Sequence, residues 1–141
     1  MKCIIAISIL LFLCSCKDSP LHPYNDSEPF QLQYHENAIG HSDGLKIGFR
    51  DVPSDSRCAT GAICVWEGVA DVTLWLLPRS SDTVFVQTRI FGYVTKADTG
   101  KHISKDTVGY RVTLLQLDPY PKIGAVIQKS DYVATLRVLK L

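Results

Sequence analysis

Hydrophobic and polar residues alternate along much of the chain beyond residue 40, with the period of two that a half-buried β-strand requires. The alternating or β-branched stretches cover 45–49, 70–77, 83–91, 110–114 and 132–138. Gly, Pro, Asp and Ser separate these stretches, and 78–82 is predicted to be a turn. No long stretch has convincing helical spacing. The pattern therefore predicts an all-β fold, a single antiparallel β-sandwich that is immunoglobulin-like or an open barrel.

The N-terminus follows a different pattern. Lys2 precedes an apolar run over 4–13, and the small residue Ser15 stands before Cys16. The run has ten residues, fewer than the roughly 17–25 that cross a bilayer, which argues against a transmembrane helix. The layout is that of a secretory signal. Residues 13–16, Leu-Cys-Ser-Cys, resemble the lipobox of bacterial lipoproteins.

The lipobox resemblance implies a covalent membrane anchor at Cys16. In such lipoproteins the chain is cleaved before this cysteine, whose sulfur carries a diacylglycerol, and two acyl chains hold stably in a bilayer. The implied partner is the lipid bilayer. The implied location is the bacterial cell envelope, at the outer membrane, with its periplasmic and surface sides both open. The alternative is an ordinary signal peptide that leaves Cys16 as a free thiol.

The domain organisation follows from the same feature. We predict a lipoprotein signal peptide over 1–15, the lipidated Cys16 with a flexible tether through residue 29, and the β-sandwich over 30–141. The tether is predicted because 17–29 holds three prolines and few aliphatic residues, a composition typical of linkers.

Charge gives no indication of an acidic partner. The 15 basic side chains become 14 when Lys2 leaves with the signal, against 14 acidic side chains. A balanced chain has no global field to attract nucleic acid, so we predict no nucleic-acid partner.

The cysteine count supports the anchor. An exported protein with five cysteines has an odd one to explain. Cys3 and Cys14 leave with the signal and Cys16 carries lipid. Cys58 and Cys64 are then free to pair in an oxidising compartment, which predicts one disulfide-braced loop.

The loop around that disulfide carries Arg57 before the first cysteine and Trp66 after the second. One interpretation is an exposed loop that a partner grips, with Arg57 or Trp66 as the contact residue. The other is a structural brace, with Arg57 paired to Asp51 or Asp55 and Trp66 packed on the disulfide. The sequence favours the brace, because buried Trp beside a disulfide recurs in sandwich folds.

Several pieces of the chain together resemble an uncharacterised family of small bacterial exported proteins and lipoproteins. They are Asp-Ser-Arg-Cys at 55–58, Cys-Val-Trp-Glu-Gly at 64–68, Tyr-Arg-Val-Thr-Leu at 110–114 and Pro-Tyr-Pro at 119–121. Ala59 stands where the family pattern has proline, and Glu67 stands where a small residue is usual. The resemblance covers about 30–141 and implies a shared β fold with a disulfide loop, but no activity.

Chemical signatures are few. The acids Asp51, Asp55, Glu67 and Asp71 surround the loop, but their spacing matches no EF-hand, and we predict no metal and no cofactor. No GxSxG, HExxH or Ser-x-x-Lys motif points to catalysis. Trp75 falls on the polar-facing side of its strand, as Phe85 and Phe91 do on the next. Such rings either fill a core or form a platform for a sugar or a protein.

The sequence thus predicts a membrane-anchored lipoprotein whose domain is a non-enzymatic binding or interaction module of the envelope. Its partner would be an envelope protein or a glycan, met through Arg57, Trp66 and Trp75. The alternatives are a structural spacer without a specific ligand and a small hydrolase or protease inhibitor.

Overall fold

Two β-sheets form the part of the chain that the structure, a computed structural model, describes: residues 21–141. Sheet 1 has the strand order β1-β3-β4-β5-β6 and sheet 2 the order β2-β9-β8-β7. The strands are β1 (His22–Tyr24), β2 (Phe30–Gln33), β3 (Asn37–Gly40), β4 (Lys46–Asp55), β5 (Val69–Leu77), β6 (Val84–Phe91), β7 (Ser104–Thr107), β8 (Tyr110–Asp118) and β9 (Val133–Lys140). A 3-10 turn over Lys129–Asp131 precedes β9.

The predicted β-sandwich is confirmed, and the two separate sheets exclude a closed barrel. Every strand pair is antiparallel except β1 with β3, which is parallel. The immunoglobulin-like order is not observed. Strands β3 to β6 lie side by side in chain order as a meander, whereas immunoglobulin sheets interleave their strands.

The core lies between the sheets and is built by the alternation that the sequence displays. In β5, the side chains of Ala70, Val72, Leu74 and Leu76 are buried, while the residues between them are partly exposed. Sheet 2 contributes buried residues such as Leu114 and Leu136. The turn predicted at 78–82 is also observed, between β5 and β6.

The folded domain begins earlier than predicted, so the expected tether through residue 29 is too long. His22–Tyr24 pairs with β3 as an edge strand. The Tyr24 ring is buried and stacks on Phe30 with 4.2 Å between ring centroids. Burial of this one aromatic ring fixes a segment whose prolines and polar residues otherwise have the composition of a linker.

The predicted signal peptide, the lipidated Cys16 and residues 17–20 lie outside the described residues. Within 21–141, no helix is both long and apolar enough to cross a membrane.

Candidate functional site

A row of aromatic side chains crosses the outer face of sheet 1. In the strand register, Trp75 of β5 lies between Gly48 of β4 and Phe85 of β6. A side chain at residue 48 would overlap the indole ring, so the glycine gives Trp75 room to lie over β4. Phe85 is 57% exposed, and the Arg50 guanidinium stands 4.9 Å from the centroid of its ring. This is a cation–π contact on an open aromatic surface.

A β-bulge in β4 turns two charged neighbours outward. The register with β5 shifts between Phe49 and Asp51. Without the extra residue, strict alternation from the buried Phe49 would point Asp51 into the core. With it, Arg50 is exposed, Asp51 is partly exposed and Val52 takes the next buried position. The bulge therefore puts a cation and a carboxylate side by side next to Trp75.

Tyr34 and His35, in the turn that joins β2 to β3, stand opposite this strand. Their rings stack with 4.1 Å between centroids. The backbone N–H of His35 donates a hydrogen bond of 3.0 Å to the carbonyl of Phe49. His35 has a φ of 64°, in the left-handed region, which costs a non-glycine residue on the order of 1 kcal/mol. Strained residues of this kind cluster at ligand sites.

Asp51 is held by two donors from distant parts of the chain. Lys129 donates through Nζ to Oδ1 of Asp51 at 2.6 Å, and Tyr34 donates through its hydroxyl to the same oxygen at 3.3 Å. The Lys129 hydrogen bond holds the pKa of Asp51 below its usual value, and the same contact raises the pKa of Lys129. The pair is therefore charged at neutral pH.

These groups surround a shallow cleft of about 480 Å³, which we call the aromatic cleft; it is lined by Tyr34, His35, Phe49, Arg50, Asp51, Trp75 and Lys129. Its volume lies in the range of small-molecule sites. Arg50 and Lys129 carry two positive charges and Asp51 carries one negative charge, so the lining has a formal surplus of one positive charge. The cleft thus offers an aromatic face, hydrogen-bonding groups and a cation.

Arg57 does not belong to a surface, which corrects its prediction as an interaction residue. It is 6% exposed. Its guanidinium donates to Asp55 at 2.6 and 2.9 Å, to the carbonyl of Leu117 at 2.6 Å and to that of Pro119 at 3.2 Å. The brace interpretation of Arg57 is confirmed: the side chain ties the start of the loop to the end of β8.

Asp55 completes this buried network. Burial alone would raise its pKa, but the hydrogen bonds and charge of Arg57 outweigh that effect and lower it. The hydroxyl of Tyr132 donates to the same carboxylate at 3.0 Å. Burial next to Asp55 raises the pKa of Tyr132 to about 12. The group is therefore a stable ion pair with a neutral donor beside it.

The predicted disulfide joins Cys58 to Cys64, with 6.0 Å between their Cα atoms. Trp66, predicted in the brace interpretation to pack on it, is instead 62% exposed. Trp66 and Trp75 also lie on different surfaces. Trp75 pairs with Gly48, whereas the disulfide loop starts beyond Asp55, at the far end of β4.

Trp66 belongs to a second feature, the apolar tip, whose exposed side chains are Ile63, Val65, Trp66, Ile123 and Val126. Two loops form the tip. The N–H of Thr60 donates to the carbonyl of Pro121 at 2.8 Å, and the N–H of Ile123 donates to the carbonyl of Thr60 at 3.2 Å. The tip therefore holds its shape through the disulfide and through main-chain hydrogen bonds.

Three of the four acids that surround the loop in sequence form separate ion pairs. Asp51 pairs with Lys129, Asp55 with Arg57, and Asp71 with Arg89. Among residues 21–141, no group of three or more His, Cys, Asp or Glu side chains is arranged to hold a metal ion.

Sequence reasoning found one member of the aromatic cleft and missed the others. Trp75 was found through the phase of its strand. Tyr34, His35 and Lys129 were missed because they lie in turns, where no periodic pattern fixes which way a side chain points. The glycine at 48, two residues before Arg50 in a strand of large side chains, is the one signal in the sequence for a close approach over β4.

Comparison with protein-family models, with curated proteins and with solved structures finds no match for the chain.

Proposed function

We propose that this protein is a lipoprotein of the bacterial envelope, anchored through Cys16, whose β-sandwich binds a glycan in the aromatic cleft. The single observation that carries the glycan proposal is the Trp75 indole, laid over Gly48 and bordered by Arg50, Asp51 and His35. The proposal describes a binding protein, not an enzyme.

The chemistry of the cleft matches a sugar ring. A pyranose has a face of C–H groups that packs on an aromatic ring and a rim of hydroxyls that needs donors and acceptors. Trp75 supplies the aromatic face, Asp51 supplies acceptor oxygens, and Lys129 and His35 supply nitrogen groups at the rim. A spacer domain would have no need of these exposed rings.

The ligand we favour carries a negative charge, such as a uronic acid residue. Asp51 is ion-paired with Lys129 at 2.6 Å, whereas the Arg50 side chain lies over the ring of Phe85. Within residues 21–141, no salt bridge neutralises Arg50. Its guanidinium is thus available to bind a carboxylate in the fork geometry that suits arginine.

The same lining supports binding over cleavage. Glycoside hydrolysis uses two carboxyl groups that flank the scissile bond. Asp51 is the one carboxylate among the described residues that line the cleft, and Lys129 holds it.

A saccharide panel tests the cleft. The acylated protein in detergent would be screened against neutral, amino and uronic acid oligosaccharides, and affinities measured by calorimetry. We expect Trp75→Ala to lower the affinity for the best ligand by about tenfold or more, since tryptophan contacts that become buried on binding dominate binding energies. Trp66→Ala is the matched control and should bind as wild type. Equal binding by Trp75→Ala, or no binding of any saccharide, would contradict the proposal.

The anchor has an independent test. The wild-type N-terminal peptide should carry the mass of its acyl chains, and Cys16→Ser should lose that mass and leave the membrane fraction. Persistence of the lipid mass in Cys16→Ser would show that another residue carries it.

A further inference from the structure

The apolar tip exposes bulky side chains that the fold does not use. Ile63 and Val65 are fully exposed, Val126 is 89% exposed, and Ile123 and Trp66 are 64% and 62% exposed. They stand on two loops joined by main-chain hydrogen bonds. A contiguous apolar group of this kind marks an interaction surface, whereas single exposed apolar residues do not.

The charges around the tip narrow the choice of partner. Segments 59–66 and 120–127 contain one charged residue, Lys122, and the carboxylate nearest to them in sequence is that of Glu67, which follows Trp66. The loops at the opposite end of the sandwich, 41–44 and 79–83, carry Asp43, Arg79 and Asp82. An exposed apolar surface with a tryptophan and a lysine suits the headgroup boundary of a bilayer, where tryptophan is favoured and lysine meets phosphate.

The position of β1 gives the tip access to a membrane. His22 is level with Ala38 in the register, and Ala38 is level with Ile47. Strand β1 runs away from the tip, so its N-terminal end is turned toward the tip. Ile47 pairs with Leu76 and Asp55, at the base of the tip, pairs with Ala70, so the two are six steps apart on the regular strand β5, about 20 Å along the sheet. Cys16 precedes His22 by six residues, which reach at most about 20 Å.

We propose that the apolar tip inserts into the surface of the bilayer that holds the acylated Cys16, so that the domain contacts the membrane at two points. This inference rests on the anchor of the proposed function and is separate from glycan binding. The reach from Cys16 is no longer than the distance from His22 to the base of the tip, and the exposed side chains lie beyond that base. The sandwich therefore lies inclined on the membrane and does not stand upright.

The chain has two tryptophans, so replacing one at a time leaves a single fluorescent probe on the tip or in the cleft. Trp75→Phe leaves Trp66 of the tip as the one indole, and Trp66→Phe leaves Trp75 of the cleft as the matched control. Each acylated protein is reconstituted into phosphatidylethanolamine and phosphatidylglycerol vesicles, with or without bromine on the acyl chains. We expect bromine to quench Trp66 emission about twofold, with a blue shift, because an interfacial side chain lies within about 5–10 Å of the acyl boundary. Trp75 emission should change little.

A charged variant sharpens the result. Ile63→Asp with Val126→Asp, made in the Trp75→Phe protein, should float with the vesicles through its acyl chains but lose the quenching. Both positions are exposed, so the sandwich is expected to fold. Equal Trp66 emission in brominated and plain vesicles, with the protein still floating, would overturn the inference.

Two other results would overturn the inference for different reasons. Absence of acyl mass on Cys16 would overturn the anchor and this inference with it, but would leave saccharide binding untouched. A blue shift of Trp66 without vesicles, with dimers in sedimentation, would overturn the inference in favour of a second copy as the occupant of the tip.

Discussion

Trp66 and Trp75 stand on two surfaces that are built by different means. The aromatic cleft is built largely on regular sheet structure, where register puts Trp75 beside Gly48 and one bulge turns Arg50 and Asp51 outward. The apolar tip stands on loops, which a disulfide and a buried arginine hold in shape. A sheet positions side chains through repeated main-chain bonding, whereas a loop beyond the core requires added constraints.

The difference predicts how each surface fails. Changes beneath the tip should cost folding stability, because Arg57 joins Asp55 to the carbonyls of Leu117 and Pro119. Changes in the cleft should cost binding and leave stability nearly intact, because its charged side chains are partly or fully exposed.

The largest expected effect is that of Arg57→Met. It leaves the buried Asp55 carboxylate without its cation, and breaking a buried pair costs about 3–5 kcal/mol. The free energy of unfolding of the Cys16→Ser protein in urea measures the loss. Arg89→Met is the matched control, since it breaks the more exposed pair with Asp71, which water screens, and it should cost much less stability. Equal losses in the two variants would show that the network under the tip is not special.

A smaller effect is expected from opening the disulfide. Cys58→Ser with Cys64→Ser frees a loop whose cysteines are six residues apart in sequence, and chain entropy assigns about 2 kcal/mol to such a ring. The urea unfolding curve should shift by that amount, while saccharide affinity in the cleft stays at the wild-type value. Loss of saccharide affinity together with folding stability would mean that the tip and the cleft are coupled.

The smallest effect on stability should come from Gly48→Ala. The added Cβ overlaps the Trp75 indole, which has to move away from β4, at a cost of about 1 kcal/mol. Saccharide affinity should fall nonetheless, and the emission of Trp75 in the Trp66→Phe background should change. Thr73→Ala, on the same face of β5, is the control. Unchanged affinity in Gly48→Ala would show that the position of the indole over β4 does not matter for binding.

The strands that the sequence predicted are the long ones, of eight to ten residues, in which one face is buried. Strands β2 and β3 also bury one face but were missed, because four residues are too few to display the alternation. Strands β4, β5, β6, β8 and β9 alternate because their inward residues fill the core. Strand β7 was missed, since its residues, Ser-Lys-Asp-Thr, are polar and almost wholly exposed. Strand β1 was missed because a single buried ring, that of Tyr24, orders a segment with the composition of a linker.

The residues of the cleft could be predicted only where they lie on a regular strand. The phase of β5 gave Trp75, but the bulge that turns Asp51 outward depends on how β4 fits β5 and leaves no pattern in the sequence. Tyr34 and Lys129 meet at Asp51 from turns far apart in the chain. Side-chain direction in such turns is set by tertiary contacts, not by period.

If the chain is anchored at Cys16 as we propose, strand β1 would also carry mechanical load. Any tension between an N-terminal anchor and the domain enters through His22, so the hydrogen bonds between β1 and β3 bear the load first. These two strands lie parallel over three residue pairs, and a pull along their axis would shear the pairs together. The Tyr24 ring, buried against Phe30, resists that sliding. If β1 detaches from β3 under load, the chain gains a few residues of length while the other strands keep their pairing. Detachment of β1 would therefore relieve the tension before the core unfolds.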